Sequence, residues 1–221
     1  TRNQRQWKAK PVTEEESTIF IAAQKKSAIK ISFSHCSYLI NLASGEPENR
    51  SKSVTALTDE VIRCTQLGLA YCVLHPGAAG DQDFETAISN IADGLKTVLA
   101  NTKNSKVMIL LENTAGQGTS VGGNFENLKQ ISDKLKSPRI GYCFDTCHAF
   151  AAGYDIRTNE GCDKTFKLFD SILGLENLKV FHLNDSKGDL GTHLDRHENI
   201  GKGKLGTLPF EYIMNNFKTV P

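Results

Sequence analysis

Eight side chains of the kinds that hold divalent cations recur along this chain: His35, His75, Glu112, Asp145, His148, His182, Asp195 and His197. Imidazole together with carboxylate favours zinc, with manganese or iron possible. Their spacing says more than their types. Four short apolar runs, 29–33, 69–74, 107–111 and 140–144, lead into His35, His75, Glu112 and Asp145, and a fifth, 178–183, contains His182. Each run has strand length and the near-continuous hydrophobicity of strands covered on both faces. One histidine at a strand end is most simply structural. Five strands that all deliver a histidine or carboxylate to one end are another matter, because buried groups so gathered repel or stay unsatisfied unless a cation pairs them. His148 follows Asp145 by three residues. In the loop Asp195-Arg196-His197, residues i and i+2 of an extended segment point the same way, so Asp195 and His197 can share one ion. Eight ligands exceed one four-coordinate zinc and imply two or three ions with a bridging carboxylate. Closely spaced ions suit in-line displacement at phosphorus. His193, the sixth histidine, has no such place and reads as a surface residue.

The elements that must position these residues alternate. Between the apolar runs lie stretches with helical period: Val54, Leu57, Val61 and Cys64, closed by Gly68; Phe84, Ala87, Ile88, Ile91, Leu95, Val98 and Leu99; Phe125, Leu128, Ile131 and Leu135, with Asn124 as cap and Pro138 beyond; Phe166, Phe169 and Leu173; and Phe210, Ile213, Met214 and Phe217 after Pro209. Strand and helix alternate at a pitch of roughly 35 residues, which implies a parallel sheet. Two architectures compete, a doubly wound open sheet and a (β/α)8 barrel. No G-x-G-x-x-G follows the first run, so the dinucleotide fold gains little and the barrel is favoured modestly. About five of the eight strands a barrel needs are visible. No linker or low-complexity tract divides residues 1–221, so one domain is expected.

Composition restricts the function little. The net charge is +1 over 221 residues, a balance that neither suggests nor excludes nucleic acid. Six cysteines, none in a C-x-x-C pair, read as buried free thiols in a reducing compartment. No run of about 18 apolar residues offers a membrane span. The chain starts at Thr1 and stops at Pro221 without a terminating element, so it is expected to be cut short at both ends.

Three segments resemble the signatures of the endonuclease IV family of apurinic/apyrimidinic (AP) endonucleases. They are Leu111-Glu112-Asn113-Thr114-Ala115-Gly116-Gln117-Gly118, then Asp145-Thr146-Cys147-His148-Ala149-Phe150-Ala151-Ala152-Gly153-Tyr154-Asp155, and finally His182-Leu183-Asn184-Asp185-Ser186-Lys187 with 195–203. The resemblance implies an α/β TIM-type barrel with three zinc ions. It assigns His35, His75 and Glu112 to one, Glu112, Asp145 and His182 to a second, and His148, Asp195 and His197 to a third, with Glu112 the catalytic bridge. It also implies that Asn3, Gln4 and Arg5 enter DNA beside the lesion and that Tyr38 and Leu39 form a second wedge. An abasic site stacks poorly and is cheap to kink and flip.

The implied activity is hydrolysis of the phosphodiester 5′ to an abasic site in double-stranded DNA, in base excision repair, leaving a 3′-hydroxyl and a 5′-deoxyribose phosphate. The implied protein is an intracellular monomer, nuclear or mitochondrial in a eukaryote and cytoplasmic in a bacterium. Departures from the family pattern are the absence of its first strand and helix, the absence of its last strand with a further glutamate, Cys36 after the first histidine, and Ala78-Ala79 where a second histidine often stands. Two rivals are a metal-dependent sugar isomerase of the same barrel superfamily and a non-catalytic truncated remnant.

Overall fold

The computed structural model describes residues 6, 7 and 10–221. Five strands, β1 (Ser34–His35), β2 (Tyr71–Leu74), β3 (Met108–Glu112), β4 (Ile140–Asp145) and β5 (Leu178–His182), form one parallel sheet in that order. Helices α1 (Glu14–Lys26), α2 (Pro47–Gln66), α3 (Phe84–Asn101), α4 (Phe125–Leu135), α5 (Thr146–Ala152), α6 (Asn159–Leu173) and α7 (Leu208–Asn216) complete the chain, with a small antiparallel pair β6 (Asp185–Ser186) and β7 (His197–Glu198).

Strand order decides between the two architectures. A doubly wound sheet reverses its order at a switch point and carries helices on both faces. Here each strand lies beside its predecessor, and right-handed crossovers then put the connecting helices on one face. Accordingly α2 packs on α3, α3 on α4, α4 on α6 and α6 on α7, in a single layer. This is the wall of a TIM-type barrel.

The period of two along each strand sorts the side chains. Cys72, Leu74, Ile109, Leu111, Tyr142 and Phe144 face the helices and join the main core. Val73, Leu110, Cys143 and Val180 line the opposite face, with Phe33 packed against them. Between sheet and helices the rings of Phe125, Phe144, Phe166, Phe169 and Phe181 pack edge to face or tilted. Helix ends follow local chemistry. The side chain of Asn124 accepts from the N–H of Asn127 at 2.9 Å, and Gly68 takes φ +69° just past α2.

Four details depart from the sequence reading. The run 29–33 is not a strand: Ser34 is in register with Cys72, and β2 starts at Tyr71, so residues before Phe33 have no partner there. Ile29 is 63% exposed instead of buried. Helix α1 was not legible as an apolar stripe, and none of its residues is buried; it starts on a Thr13/Glu16 capping box. Helix α7 begins at Leu208, with Pro209 inside its first turn instead of ahead of it. Met214, which the helical stripe turned inward, is 65% exposed. No helix among the described residues is long and apolar enough to cross a membrane.

Candidate metal centre

The same parity builds the site. His35, His75, Glu112, Asp145 and His182 each stand two residues beyond an inner-face residue: Phe33, Val73, Leu110, Cys143 and Val180. Strand alternation therefore aims all five to the inner face at the C-terminal end of the sheet. Asp145 is also the N-cap of α5, its Oδ1 accepting from the N–H of His148 at 2.9 Å. That cap sets His148 one turn into the helix. Asp195 and His197 come from the loop between β6 and β7 and from β7 itself.

Glu112 lies at the centre and is buried. One carboxylate oxygen, Oε2, is 3.0 Å from His35 Nε2 and 3.1 Å from His75 Nε2; the other, Oε1, is 2.7 Å from His182 Nδ1. The carboxylate is thus shared between two histidine sets, one per oxygen. Asp145 Oδ2 is 3.9 Å from His182 Nδ1 and 3.8 Å from His197 Nε2. Beside it, Asp195 Oδ1 is 3.3 Å from both His148 Nε2 and His197 Nε2, and those two nitrogens are 3.4 Å apart. The Asp195 and His197 side chains thus lie on one side of the loop, both toward His148. Among the described residues five groups have three ligand atoms close together: His35, His75 and Glu112; His148, Asp195 and His197; Glu112, Asp145 and His148; Asp145, Cys147 and His197; and Glu112, Cys143 and His182. Glu112 and His182 close up with Cys143, which the sequence reading left among the structural thiols.

Hydrogen bonds outside the cluster fix the ring orientations. His35 Nδ1 donates to the Cys36 carbonyl at 2.7 Å, and His148 Nδ1 donates to the Asn113 carbonyl at 2.9 Å. A carbonyl can only accept, so these nitrogens carry the protons and each ring turns Nε2 into the site. In neutral rings, both Nε2 lone pairs then face carboxylate oxygens or another imidazole. Either a second proton or a cation must lie between. His75 Nε2 makes the point again: it is buried without a hydrogen bond, although Glu112 Oε2 is within ion-pair distance. Orphaned nitrogen, crowded lone pairs and a shared carboxylate fit divalent ions with an imidazole and oxygen preference.

Electrostatics without an ion reflect the same crowding. Burial works to raise the Glu112 carboxyl, but hydrogen bonds from His182 and His35 and the charge of nearby His75 outweigh it and hold it well below the usual range. Burial opposes protonation of His148, yet Asp145, Asp195 and Glu112 push it up to about 10. Asp195 is lowered, chiefly by its bond from His148.

Asn113 and Asn184 were missed in the sequence. Asn113 brackets the Asp145 backbone, accepting from its N–H at 2.8 Å and donating to its carbonyl at 3.1 Å, and Asn184 Nδ2 donates to Asp145 Oδ2 at 2.6 Å. Asn113 follows Glu112 and Asn184 lies two residues past His182, both within the signature segments, and that was the available signal. Tyr38 is 61% exposed, and its ring centroid lies 5.4 Å from that of His35 and 5.3 Å from that of His75. It lines a cleft of about 350 Å³ with His35, His75, Thr114, Gln117 and Asp195. Leu39 is half-buried behind it, and its N–H donates to Ser37 Oγ. Asn3, Gln4 and Arg5 lie outside the described residues. His193 is exposed, and it bonds the Ala115 carbonyl through Nδ1. All six cysteines are buried and free.

A family profile described as a xylose isomerase-like TIM barrel matches residues 1–220. A probable endonuclease 4 of Chloroflexus aurantiacus is 46% identical over 216 residues, covering 97% of this chain and 76% of that protein. The crystal structure of endonuclease IV from Thermus thermophilus superposes with a TM-score of 0.85 at 32% identity, covering 97% of this chain and 76% of that one. A D-tagatose 3-epimerase-like protein superposes at 0.72 with 21% identity over 93% of this chain and 72% of its own, a likeness of fold alone.

Proposed function

The chain belongs to the endonuclease IV family within the xylose isomerase-like TIM barrels, and from that premise we propose that it is a zinc-dependent AP endonuclease. It hydrolyses the phosphodiester 5′ to an abasic site in double-stranded DNA and leaves a 3′-hydroxyl and a 5′-deoxyribose phosphate. The observation that carries the reading is the shared Glu112 carboxylate, with one oxygen toward His35 and His75 and the other toward His182.

His35, His75 and Glu112 hold one ion, Glu112, Asp145 and His182 a second, and His148, Asp195 and His197 a third; manganese can use the same donors. Bound there, the ions supply positive charge for the phosphate and acidity for a water. The protein's own part is placement. Glu112 fixes the separation of the first two positions, and Asp145, between His182 and His197, ties them to the third. Tyr38, at the mouth of the cleft, is shaped to fill the gap at a missing base, with Leu39 as support. Burial and the nearby carboxylates of Glu112, Asp195 and Asp145 raise its hydroxyl, so it stays a neutral phenol against DNA. The roles of Asn3, Gln4 and Arg5 beside the lesion rest on the family resemblance. The proposal extends to base excision repair by a monomer, in the compartment that holds the DNA.

The test is incision of a duplex with one abasic site by wild type and by Glu112→Ala, with and without chelator. Both the substitution and the chelator are expected to abolish cutting. A Glu112→Ala protein that cuts at the wild-type rate would sink the assignment.

A further inference from the structure

One carboxylate near the site belongs to none of the three ligand groups. Asp185 is fully buried at the start of β6. Among the described residues it forms no ion pair. Its carboxylate is instead wrapped by backbone: Oδ1 accepts from the N–H of Ser186 at 2.7 Å and of Leu205 at 2.9 Å, and Oδ2 accepts from Gly201 at 3.0 Å and Gly203 at 2.9 Å. Three N–H donors from the loop after β7 and one from Ser186 converge on one anion, the arrangement of a backbone nest. The loop is shaped for it. Gly201 takes φ +76°, and a Cβ at Gly203 would collide with Asp185 Oδ1 and the Ser186 carbonyl.

The neighbouring bonds lead into the site. Ser186 is in register with His197 across the β6–β7 pair, and Asp185 with Glu198. The N–H of Lys204 donates to the Ser186 carbonyl, and that of Lys187 to the Arg196 carbonyl. Beyond these two-residue strands, the segment bearing Asp195 and His197 has little regular structure. It is short and exposed in most of its residues. An isolated two-residue pair is not stable on its own. The segment itself is held by single bonds, from the Asp195 N–H to Gln117 Oε1, from Cys147 Sγ to the Arg196 carbonyl and from the Lys187 N–H to the same carbonyl, whereas the stretch that follows β7 closes on the buried Asp185 carboxylate through Gly201, Gly203 and Leu205.

We propose that Asp185 is the positioning residue for the third ion site: it folds loop 199–205 around its carboxylate and so sets His197 and Asp195 against His148. This rests on the reading that His148, Asp195 and His197 hold an ion. The His35, His75 and Glu112 group lies on β1, β3 and the end of β2, and forms independently of Asp185.

Asp185→Asn keeps the shape but replaces one acceptor oxygen with an NH2 group, which cannot accept from the Gly201 and Gly203 N–H groups. Gly203→Ala pushes on the same nest from the loop side, against Asp185 and the Ser186 carbonyl and away from the five-stranded sheet. Both are made in the full chain, stripped of metal, and titrated with Zn2+ while bound equivalents are counted. Both are expected to weaken one class of site by about 10–100-fold, as outer partners of metal ligands typically do, and to leave the other classes as in wild type. His197→Ala should weaken the same class, and adding Asp185→Asn to it should change nothing further. In the metal-free proteins, trypsin should cut after Arg196, Lys202 or Lys204 faster in Asp185→Asn and Gly203→Ala than in wild type.

If folded Asp185→Asn, or Gly203→Ala should the first variant not fold, binds every equivalent with wild-type affinity, the proposal is overturned. Equal weakening of all classes also overturns it, since that marks general loss of structure. A wild-type chain that binds no zinc refutes the functional reading instead. In that case trypsin resistance of the loop in the two variants, equal to wild type, would still overturn the anchoring role.

Discussion

Glu112 puts two histidine sets on two oxygens of one buried group, so its replacement should be felt at more than one ion. Glu112→Gln keeps the volume but removes the charge. The expected result is loss of zinc affinity beyond the about 10–100-fold that outer hydrogen-bond partners cost, and Asn113→Ala should fall within that range. Isothermal titration of the two variants checks both, and equal losses would mean Glu112 is not a ligand. Protons compete for the same nitrogens. Without metal, His148 is raised from 6.5 to about 10 and Glu112 is lowered from 4.5. The stability His148 supplies is complete below pH 6.5 and is lost as pH climbs toward about 10, whereas that from Glu112 is complete above 4.5 and lost as pH falls further. Melting temperature in chelator should therefore peak between pH 4.5 and 6.5 and decline toward 10. Saturating zinc should reverse the alkaline slope, because metal binding displaces the proton. A flat profile above pH 6.5 would contradict the assigned pairing of His148.

Loops, more than strands, carry the vulnerable joints among the elements. Asn41 Oδ1 accepts from the N–H groups of Ala43 and Ala78, both at 3.0 Å, while its Nδ2 donates to the Ala78 carbonyl. The loop holding Tyr38 is thereby tied to the loop after His75. Asn41→Ala strands two donors, at a cost of about 1–3 kcal/mol for a buried group left unmade. A urea melt should show that loss, and affinity for abasic duplex should fall as Tyr38 loosens. Phe125 is a core matter. It is fully buried at the start of α4 among Phe144, Tyr154 and Phe169. Phe125→Ala should cost about 3–5 kcal/mol with little change in zinc stoichiometry of the folded fraction. Elements with a strong apolar period, such as α3 and α4, were legible because burial imposes that period. Helix α1 was not, since it buries no residue and so carries no stripe. The run 29–33 misled for the converse reason: its composition suits a strand, but pairing requires a neighbour in register.

For the whole molecule, ions held between four strand ends, the segment just past β2 and the loop after β6 would act as a cross-brace. Ligands that bind only the folded state add RT ln(1 + [L]/Kd), about 2.7 kcal/mol at a hundredfold excess over Kd. Chelator should lower the melting temperature of wild type, and much less that of a Glu112→Gln, His197→Ala double variant. An unchanged wild-type melt would argue against tightly held ions. The sequence by itself determined which residues could bind metal and which end of the strands bears them, because strand parity and chain direction are local properties. It also carried the family, through long signatures that sit on those same residues. The tertiary structure decided what needs distant partners. Strand order settled the barrel over the open sheet. The Cys36 and Asn113 carbonyls chose which nitrogens of His35 and His148 face inward. Asp185, an unremarkable carboxylate in the sequence, became an anchor only when loop 199–205 closed three N–H groups around it.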